Sequence, residues 1–143
     1  MSGTALRPED LHKISEEVEV AKVREALARR RKEEEEKHHL RDAFMAEELP
    51  PNAMELLNTM VRRAAEQNRS EILVMTFPAE WCNDKGRRIN NGDTDWPQSL
   101  QGRAMRAYDF YERHLKELGY KIRVQILNYP DGMPGEIGFF LRW

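Results

Sequence analysis

The stretch that decides the fold is Glu71-Ile72-Leu73-Val74-Met75-Thr76-Phe77. It is apolar at odd and even positions alike, which is typical of a strand covered on both faces. Pro78 follows at once and ends the run, because proline has no backbone N–H to continue a strand ladder. We therefore predict a central β-strand over residues 71–77.

The residues after this strand predict a helix and two further strands. A helix beginning at Gly102 or Arg103 carries its apolar residues on one face, at Ala104, Tyr108, Tyr111, Leu115 and Leu118. Residues 121–127 and 137–143 alternate between polar and apolar, as half-buried strands do. The turn signal Tyr129-Pro130-Asp131-Gly132 separates them. A strand–helix–strand unit predicts parallel neighbours, and the last two strands predict an antiparallel hairpin.

A further helix precedes the first strand. Leu49-Pro50-Pro51 interrupts the chain, and an apolar stripe follows at Met54, Leu57, Val61 and Ala64. The order is thus α-α-β-α-β-β. This order predicts an α/β (α+β) fold in which a long charged N-terminal helix is followed by a small three-stranded mixed sheet with helices packed on one face.

The N-terminal helix is predicted to start at Pro8-Glu9-Asp10, where proline and acidic residues favour a first turn. A coiled-coil-like stripe follows at Leu11, Ile14, Val18 and Ala21, and a second short stripe at Val20, Val23 and Leu27. The blocks 29–32 and 33–36 are entirely basic and entirely acidic. They predict a solvated helix supported by i,i+4 charge pairs. Leu40, Ala43 and Phe44 restore an apolar face that we expect to contact the following domain.

These patterns predict a disordered lead-in over 1–7, a charged helical extension over 8–49 and a compact domain over 50–143. Charged residues make up 34% of the chain, yet the net charge is only −2. This balance argues against a nucleic-acid backbone as the main partner. Cys82 is the one cysteine, which excludes an internal disulfide and favours a reducing compartment. The longest apolar run is 72–75, so we expect no membrane segment. The single thiol and an N-terminus without the apolar stretch of a signal peptide predict a cytoplasmic protein.

The segment 78–101 is the main candidate for a binding site. It is long, it follows the end of a strand, and it contains two tryptophans, so we predict an ordered surface loop. Basic residues here and at the start of the next helix favour an anion or a protein partner. The predicted ligand-binding residues are Trp81, Lys85, Arg87, Arg88, Asn90, Trp96, Arg103 and Arg106. In the alternative interpretation, these cations pair with Asp84, Asp93, Asp95 and Asp109.

Catalytic and metal sites are weakly indicated. The run 90–95 is rich in oxygen ligands, but its spacing does not match a 12-residue calcium loop, and turn formation explains it more simply. Cys82 has no histidine near it in sequence, and nothing sets the separation of Glu80 and Asp84. We therefore predict no catalytic residue, no metal and no cofactor.

The open face of the sheet is the second candidate surface, with Arg123, Tyr129, Phe140 and Arg142 as interaction residues. Together these features predict a non-catalytic interaction or regulatory protein. It would self-associate, as a homo-oligomer, or dock on a protein partner through the N-terminal helix, and would bind a partner or an anion at 78–101. One alternative is a small RNA-binding module that uses the sheet face, where aromatic and cationic side chains could stack on bases. A second alternative is an enzyme centred on the segment 78–101.

Overall fold

The computed structural model describes residues 3–143. The chain divides into two units, Met1–Asp42 and Ala43–Trp143. Of the disordered lead-in predicted over 1–7, residues 1 and 2 lie outside the described residues. Residues 3–7 have no helix or strand.

Helix α1 runs from Pro8 to Ala46 and provides all the regular structure of the first unit. It begins at the predicted proline, with Glu9 and Asp10 in its first turn. Every side chain from 3 to 42 is exposed. The four predicted charge pairs between the blocks 29–32 and 33–36 do not form. The basic residue precedes the acid in each, which is the weaker order on a helix, and long exposed side chains lose entropy on pairing.

The second unit confirms the predicted fold class of helices with a small three-stranded sheet. After the last turn of α1 its elements are α2 (Ala53–Glu66), β1 (Glu71–Pro78), α3 (Arg87–Asn91), α4 (Gly102–Phe110), β2 (Lys121–Ile126) and β3 (Glu136–Arg142). Helix α4 continues through a π turn over Tyr111–Leu115 and a short 3₁₀ turn that ends at Leu118.

The strand order is β1-β3-β2, and both outer strands are antiparallel to β3. The predicted pairing of β1 with β2 as parallel neighbours, and hence the mixed sheet with β1 at its centre, is wrong. Strand β3 lies between them and is the most deeply buried, with Ile137 and Phe139 at most 1% exposed. The apolar residues on both faces of β1 are therefore not explained by a central position in the sheet. Because β1 pairs with β3 alone, it is an edge strand. A bulge between Leu73 and Met75 inserts Val74 as an extra residue, and Leu73 and Val74 are both exposed.

The core lies on one face of the sheet, and the end of α1 contributes to it. Phe44 is buried, and its ring lies 5.6 Å from that of Phe77, whereas Leu40 is 64% exposed. Gly102 allows the start of α4 to lie against the backbone of α1 at Phe44 and Met45. A Cβ at Gly102 would lie 2.6 Å from the backbone oxygen of Phe44 and 2.8 Å from the Cα of Met45. The first turn of α4 therefore packs directly on the last turn of α1, within the second unit.

Candidate functional site

The segment 78–101 is folded along its whole length. It contains 3₁₀ turns at Ala79–Trp81 and Trp96–Ser99, with α3 between them. Hydrogen bonds join its two ends: Asn83 N donates to Ser99 O over 2.9 Å, and Gln101 Nε2 donates to Trp81 O over 3.2 Å. These bonds close the segment on itself.

The two tryptophans of this segment pack against the core. The Trp81 ring lies 4.7 Å from the Phe44 ring, and the Trp96 ring lies 5.4 Å from Tyr108 and 6.0 Å from Phe139. Both are partly buried. Their contacts explain why a segment of this length is ordered, because the indole rings bury area that an unstructured loop would leave in water.

Arg88 is neutralised within the segment. Its guanidinium lies 3.4 Å from an Asp95 carboxylate oxygen and 4.0 Å from one of Asp84. Asp84 also accepts hydrogen bonds of 2.9 Å from the backbone N–H groups of Gly86 and Arg88. For this arginine the structure shows the alternative interpretation, pairing with neighbouring acids.

Arg103 and Arg106 lie in α4 and face the end of α1 and the residues just after it. Arg103 pairs with Glu47. Arg106 Nη1 donates to the backbone oxygens of Met45 and Glu47, each over 3.0 Å. These two arginines therefore contact the connection between α1 and α2, whereas Arg88 pairs with acids within the segment 78–101.

Lys85, Arg87 and Asn90 are exposed. Within residues 3–143, neither Lys85 nor Arg87 forms an ion pair. Asn90 accepts a hydrogen bond of 2.8 Å from the hydroxyl of Tyr129, which the sequence assigns to the sheet face. The eight predicted ligand-binding residues thus separate into core anchors, paired arginines and an exposed group at α3. Binding by the exposed group stays a prediction.

The open face of the sheet carries a compact cation–aromatic arrangement. The Arg123 guanidinium carbon lies 4.0 Å from the centre of the Phe140 ring, and Arg123 Nε donates to a Glu71 carboxylate oxygen over 2.7 Å. Arg142 is exposed and stands in register between Glu71 and Lys121. Arg123 and Phe140 therefore meet as the sequence predicts, but Arg123 covers one face of that ring.

An apolar strip accompanies this pair on the same face. A Cβ on Gly138 would lie 3.1–3.2 Å from atoms of Leu73, Leu127 and Phe140, so these three side chains converge over the glycine. Leu73 is 44% exposed and Leu127 41% exposed. The strip is small, and Arg123 lies over the Phe140 ring at its side.

Three groups have shifted pKa values. Burial raises the pKa of the Cys82 thiol to about 11; a hydrogen bond with Ser99 opposes the shift and the charge of Asp84 adds to it. Cys82 is therefore a protonated thiol at neutral pH. Burial and a 2.6 Å hydrogen bond to Glu112 raise the pKa of Tyr108 to about 12, and the same bond lowers the pKa of Glu112. Among residues 3–143, no three His, Cys, Asp or Glu side chains are grouped to hold a metal ion.

One feature that the sequence did not predict is a cleft between α2, α4 and the sheet, the α2–α4 cleft. Its volume is about 320 Å³, and its walls are almost wholly apolar. Leu56 and Met60 lie at its mouth, 49% and 41% exposed. In the sequence, the cleft could have been anticipated from the width of the apolar stripe of α2. Leu56 and Met60 widen this stripe, but they are exposed, unlike Leu57 and Ala64 of the same helix.

A scan of protein families and searches of curated proteins and solved structures found no match to this chain. Within the described residues, no helix combines the length and the apolar composition needed to cross a membrane.

Proposed function

We propose that the chain is a non-catalytic interaction protein that self-associates through the apolar side chains of α1. The observation that supports this proposal is the exposure of those side chains over a long, continuous helix. Leu11, Ile14 and Val18 are 48–49% exposed, and every residue of α1 up to Asp42 is exposed. Helices in proteins gain most of their stability by packing an apolar face, so a partner surface would complete this one.

The spacing of the stripe favours a second copy of the same helix as that partner. Leu11, Ile14, Val18 and Ala21 follow the 3-4-3 spacing that places knobs into the holes of a facing helix. In the next repeat the stripe reaches Glu25 and then Ala28, so it weakens there. We place the contact over residues 11–21.

The expected association is weak. Each of Leu11, Ile14 and Val18 keeps about half of its surface exposed, and burying that half contributes about 1 kcal/mol. Six such side chains in a dimer give about 6 kcal/mol, against an association cost of at least about 4 kcal/mol. These six side chains alone therefore leave about 2 kcal/mol, a dissociation constant of about 30 mM. We expect Ala21 and the aliphatic stems beside the stripe to bury further surface and add about 2 kcal/mol, which brings the dissociation constant to about 1 mM.

The second unit adds a candidate surface at α3. Lys85 and Arg87 are the basic side chains of the predicted set that form no ion pair within residues 3–143. Arg87 and Asn90 lie on α3, and Lys85 lies two residues before it. A partner with acidic groups suits this surface. We propose it as a docking site that is subordinate to α1.

The two alternatives have less support. Stacking of RNA bases needs free aromatic faces, but Arg123 covers one face of Phe140, and Tyr129 is bonded to Asn90. An enzyme at Cys82 needs a thiolate, whereas burial keeps this thiol protonated. The interaction role requires neither group.

The test is the mass of the full-length chain by light scattering at concentrations up to about 1 mM, the range set by the expected affinity. Ile14→Gln with Val18→Gln should shift the chain to monomer. The matched control is Val23→Gln with Leu27→Gln, which makes the same polarity change on the second stripe, on the opposite side of a helix with 3.6 residues per turn. The control should associate like the wild type.

Two results would contradict the proposal. A wild-type chain that stays monomeric over the whole range would show that α1 does not mediate self-association. A dimer that only the Val23 and Leu27 substitutions disrupt would show that the 3-4-3 stripe is not the contact. Circular dichroism should show equal helix content in both variants, because glutamine is a good helix former.

A further inference from the structure

We propose that the α2–α4 cleft is a binding site for a small carboxylate with an apolar body of about 8–12 carbon atoms. The site lies wholly in the second unit and is independent of self-association through α1. The proposal depends on the shape and composition of the cleft and on the one charged side chain in its wall.

The cleft is bounded on three sides by regular structure. Helix α2 contributes Leu56, Leu57 and Met60, the helix that starts at Gly102 contributes Ala107 and Tyr111, and the sheet forms the floor. Tyr111 is the one lining residue with a phenol, and its hydroxyl already donates to the backbone oxygen of Tyr120 over 2.9 Å. These walls thus offer water almost no hydrogen bonds, and an apolar body is the better occupant.

The volume sets the size of the occupant. About 320 Å³ is the volume of roughly ten atoms or groups of the size of a water molecule, at about 30 Å³ each. It also lies at the lower end of the range for small-molecule pockets. An aliphatic chain of about ten carbons fits this volume, whereas a nucleotide or a sugar would place many polar groups against apolar walls.

Arg103 determines the charge of the occupant. It is the one charged residue among those that line the cleft in the described part of the chain. Its Nε is buried and donates to no acceptor within residues 3–143. A carboxylate suits a guanidinium especially well, since arginine can donate two parallel hydrogen bonds to it.

The existing partner of Arg103 does not block this role. Glu47 pairs with it, but the Glu47 side chain is 56% exposed and that of Arg103 36% exposed. Ion pairs as exposed as this one contribute little to stability, so a ligand carboxylate can share or replace Glu47 at small cost. Removal of the Glu47 charge should therefore leave binding unchanged or tighten it.

The experiment is calorimetric titration of the full-length chain with decanoate, below its micelle concentration. Decanol and decyltrimethylammonium, which have the same chain with a neutral and a cationic head, serve as comparison ligands. Decanoate should bind with a dissociation constant of about 10–100 µM, as expected for a ligand of this size at modest efficiency. Decanol should bind at least tenfold more weakly, and the ammonium more weakly still.

The variants test separately how the carboxylate head and the alkyl chain of decanoate contribute to binding. Arg103→Gln should weaken decanoate at least tenfold and leave decanol unchanged, while the matched variant Glu47→Gln should retain decanoate binding. Ala107→Leu fills the cleft and should weaken both ligands; Ala53→Met is the substitute if Ala107→Leu fails to fold by circular dichroism.

Three results would overturn the proposal. One is the absence of a heat of binding for decanoate up to about 1 mM at both about 10 °C and about 35 °C, since burial of an alkyl chain has a large heat-capacity change and can be athermal at only one of these temperatures. This is the result expected if the cleft instead receives an apolar side chain of a protein partner. Another is equal affinity for decanoate and decyltrimethylammonium. The third is decanoate binding that Arg103→Gln leaves unchanged.

Discussion

Replacement of Gly102 by alanine tests whether the end of α1 packs directly on the start of α4. Gly102 has φ +57°, and a Cβ placed there would lie 2.6 Å and 2.8 Å from backbone atoms of Phe44 and Met45. Backbone atoms cannot rotate away as the tip of a flexible side chain can. The α1 and α4 backbones would have to separate.

The magnitude has two parts. An alanine in the left-handed region costs about 1–2 kcal/mol. Displacing packed structure to relieve an overpacked contact costs about 1–3 kcal/mol more. We expect Gly102→Ala to lower the free energy of unfolding by about 2–5 kcal/mol.

Gly92→Ala is the matched control. Gly92 has φ +70°, and a Cβ there would meet no atom within 4 Å. It should therefore show the conformational cost alone, about 1–2 kcal/mol. The two variants differ in what the added methyl group meets.

Urea unfolding of the full-length variants, followed by tryptophan fluorescence, measures this difference. With an m-value of about 2 kcal/mol per M, Gly102→Ala should unfold at a midpoint about 0.5–1.5 M below that of Gly92→Ala. Equal midpoints would refute the close approach of Phe44 to α4. An unchanged midpoint for both would refute the left-handed conformations as well.

Three further predictions follow from buried or paired side chains. Phe44→Ala should destabilise the chain by about 3–5 kcal/mol in the same urea assay, because it empties a core position, whereas Leu40→Ala, at a 64% exposed site, should change it by less than about 0.5 kcal/mol; equal effects would show that Phe44 is not a core residue. Since the folded Cys82 thiol has a pKa near 11 and an unfolded one near 9, the unfolded state releases its proton first, and stability should fall above pH 9 by up to about 1.4 kcal/mol per pH unit relative to Cys82→Ala; parallel pH profiles for the two proteins would contradict the raised pKa. Arg123→Met should cost about 1–2 kcal/mol through loss of the Glu71 pair and the Phe140 contact, and Arg142→Met less than about 0.5 kcal/mol, with thermal unfolding as the readout.

Periodicity along the sequence was sufficient to predict α1, α2, α4, β2 and β3, but not the short helix α3. The 3- and 4-residue spacing of apolar residues located the helices, and alternation located β2 and β3, because these patterns record which side of each element is buried. The fold class followed from the order of the elements. The break at Leu49-Pro50-Pro51 and the helix start at Pro8 follow from proline chemistry alone.

Strand order and the grouping of the candidate site needed the tertiary structure. The apolar run 71–77 predicts a central strand, but β3 occupies the centre of the sheet and β1 is an edge. A run of apolar residues does not reveal which strand it will pair with, since pairing depends on residues far away in sequence. The basic residues of 78–106 are close along the chain, yet their side chains leave on different faces, so Arg88 meets Asp95 while Arg103 meets Glu47.

The sequence by itself determined that the chain joins a charged N-terminal helix to a small α/β unit, because local spacing and breakers act within a few residues. The tertiary structure alone decided that Trp81 and Trp96 are core anchors, that Arg123 covers Phe140, and that an apolar cleft with Arg103 in its wall lies between α2 and α4. The physical reason is that cavities and ion pairs form between distant segments. Their geometry depends on how helices and strands pack, and no local pattern encodes it.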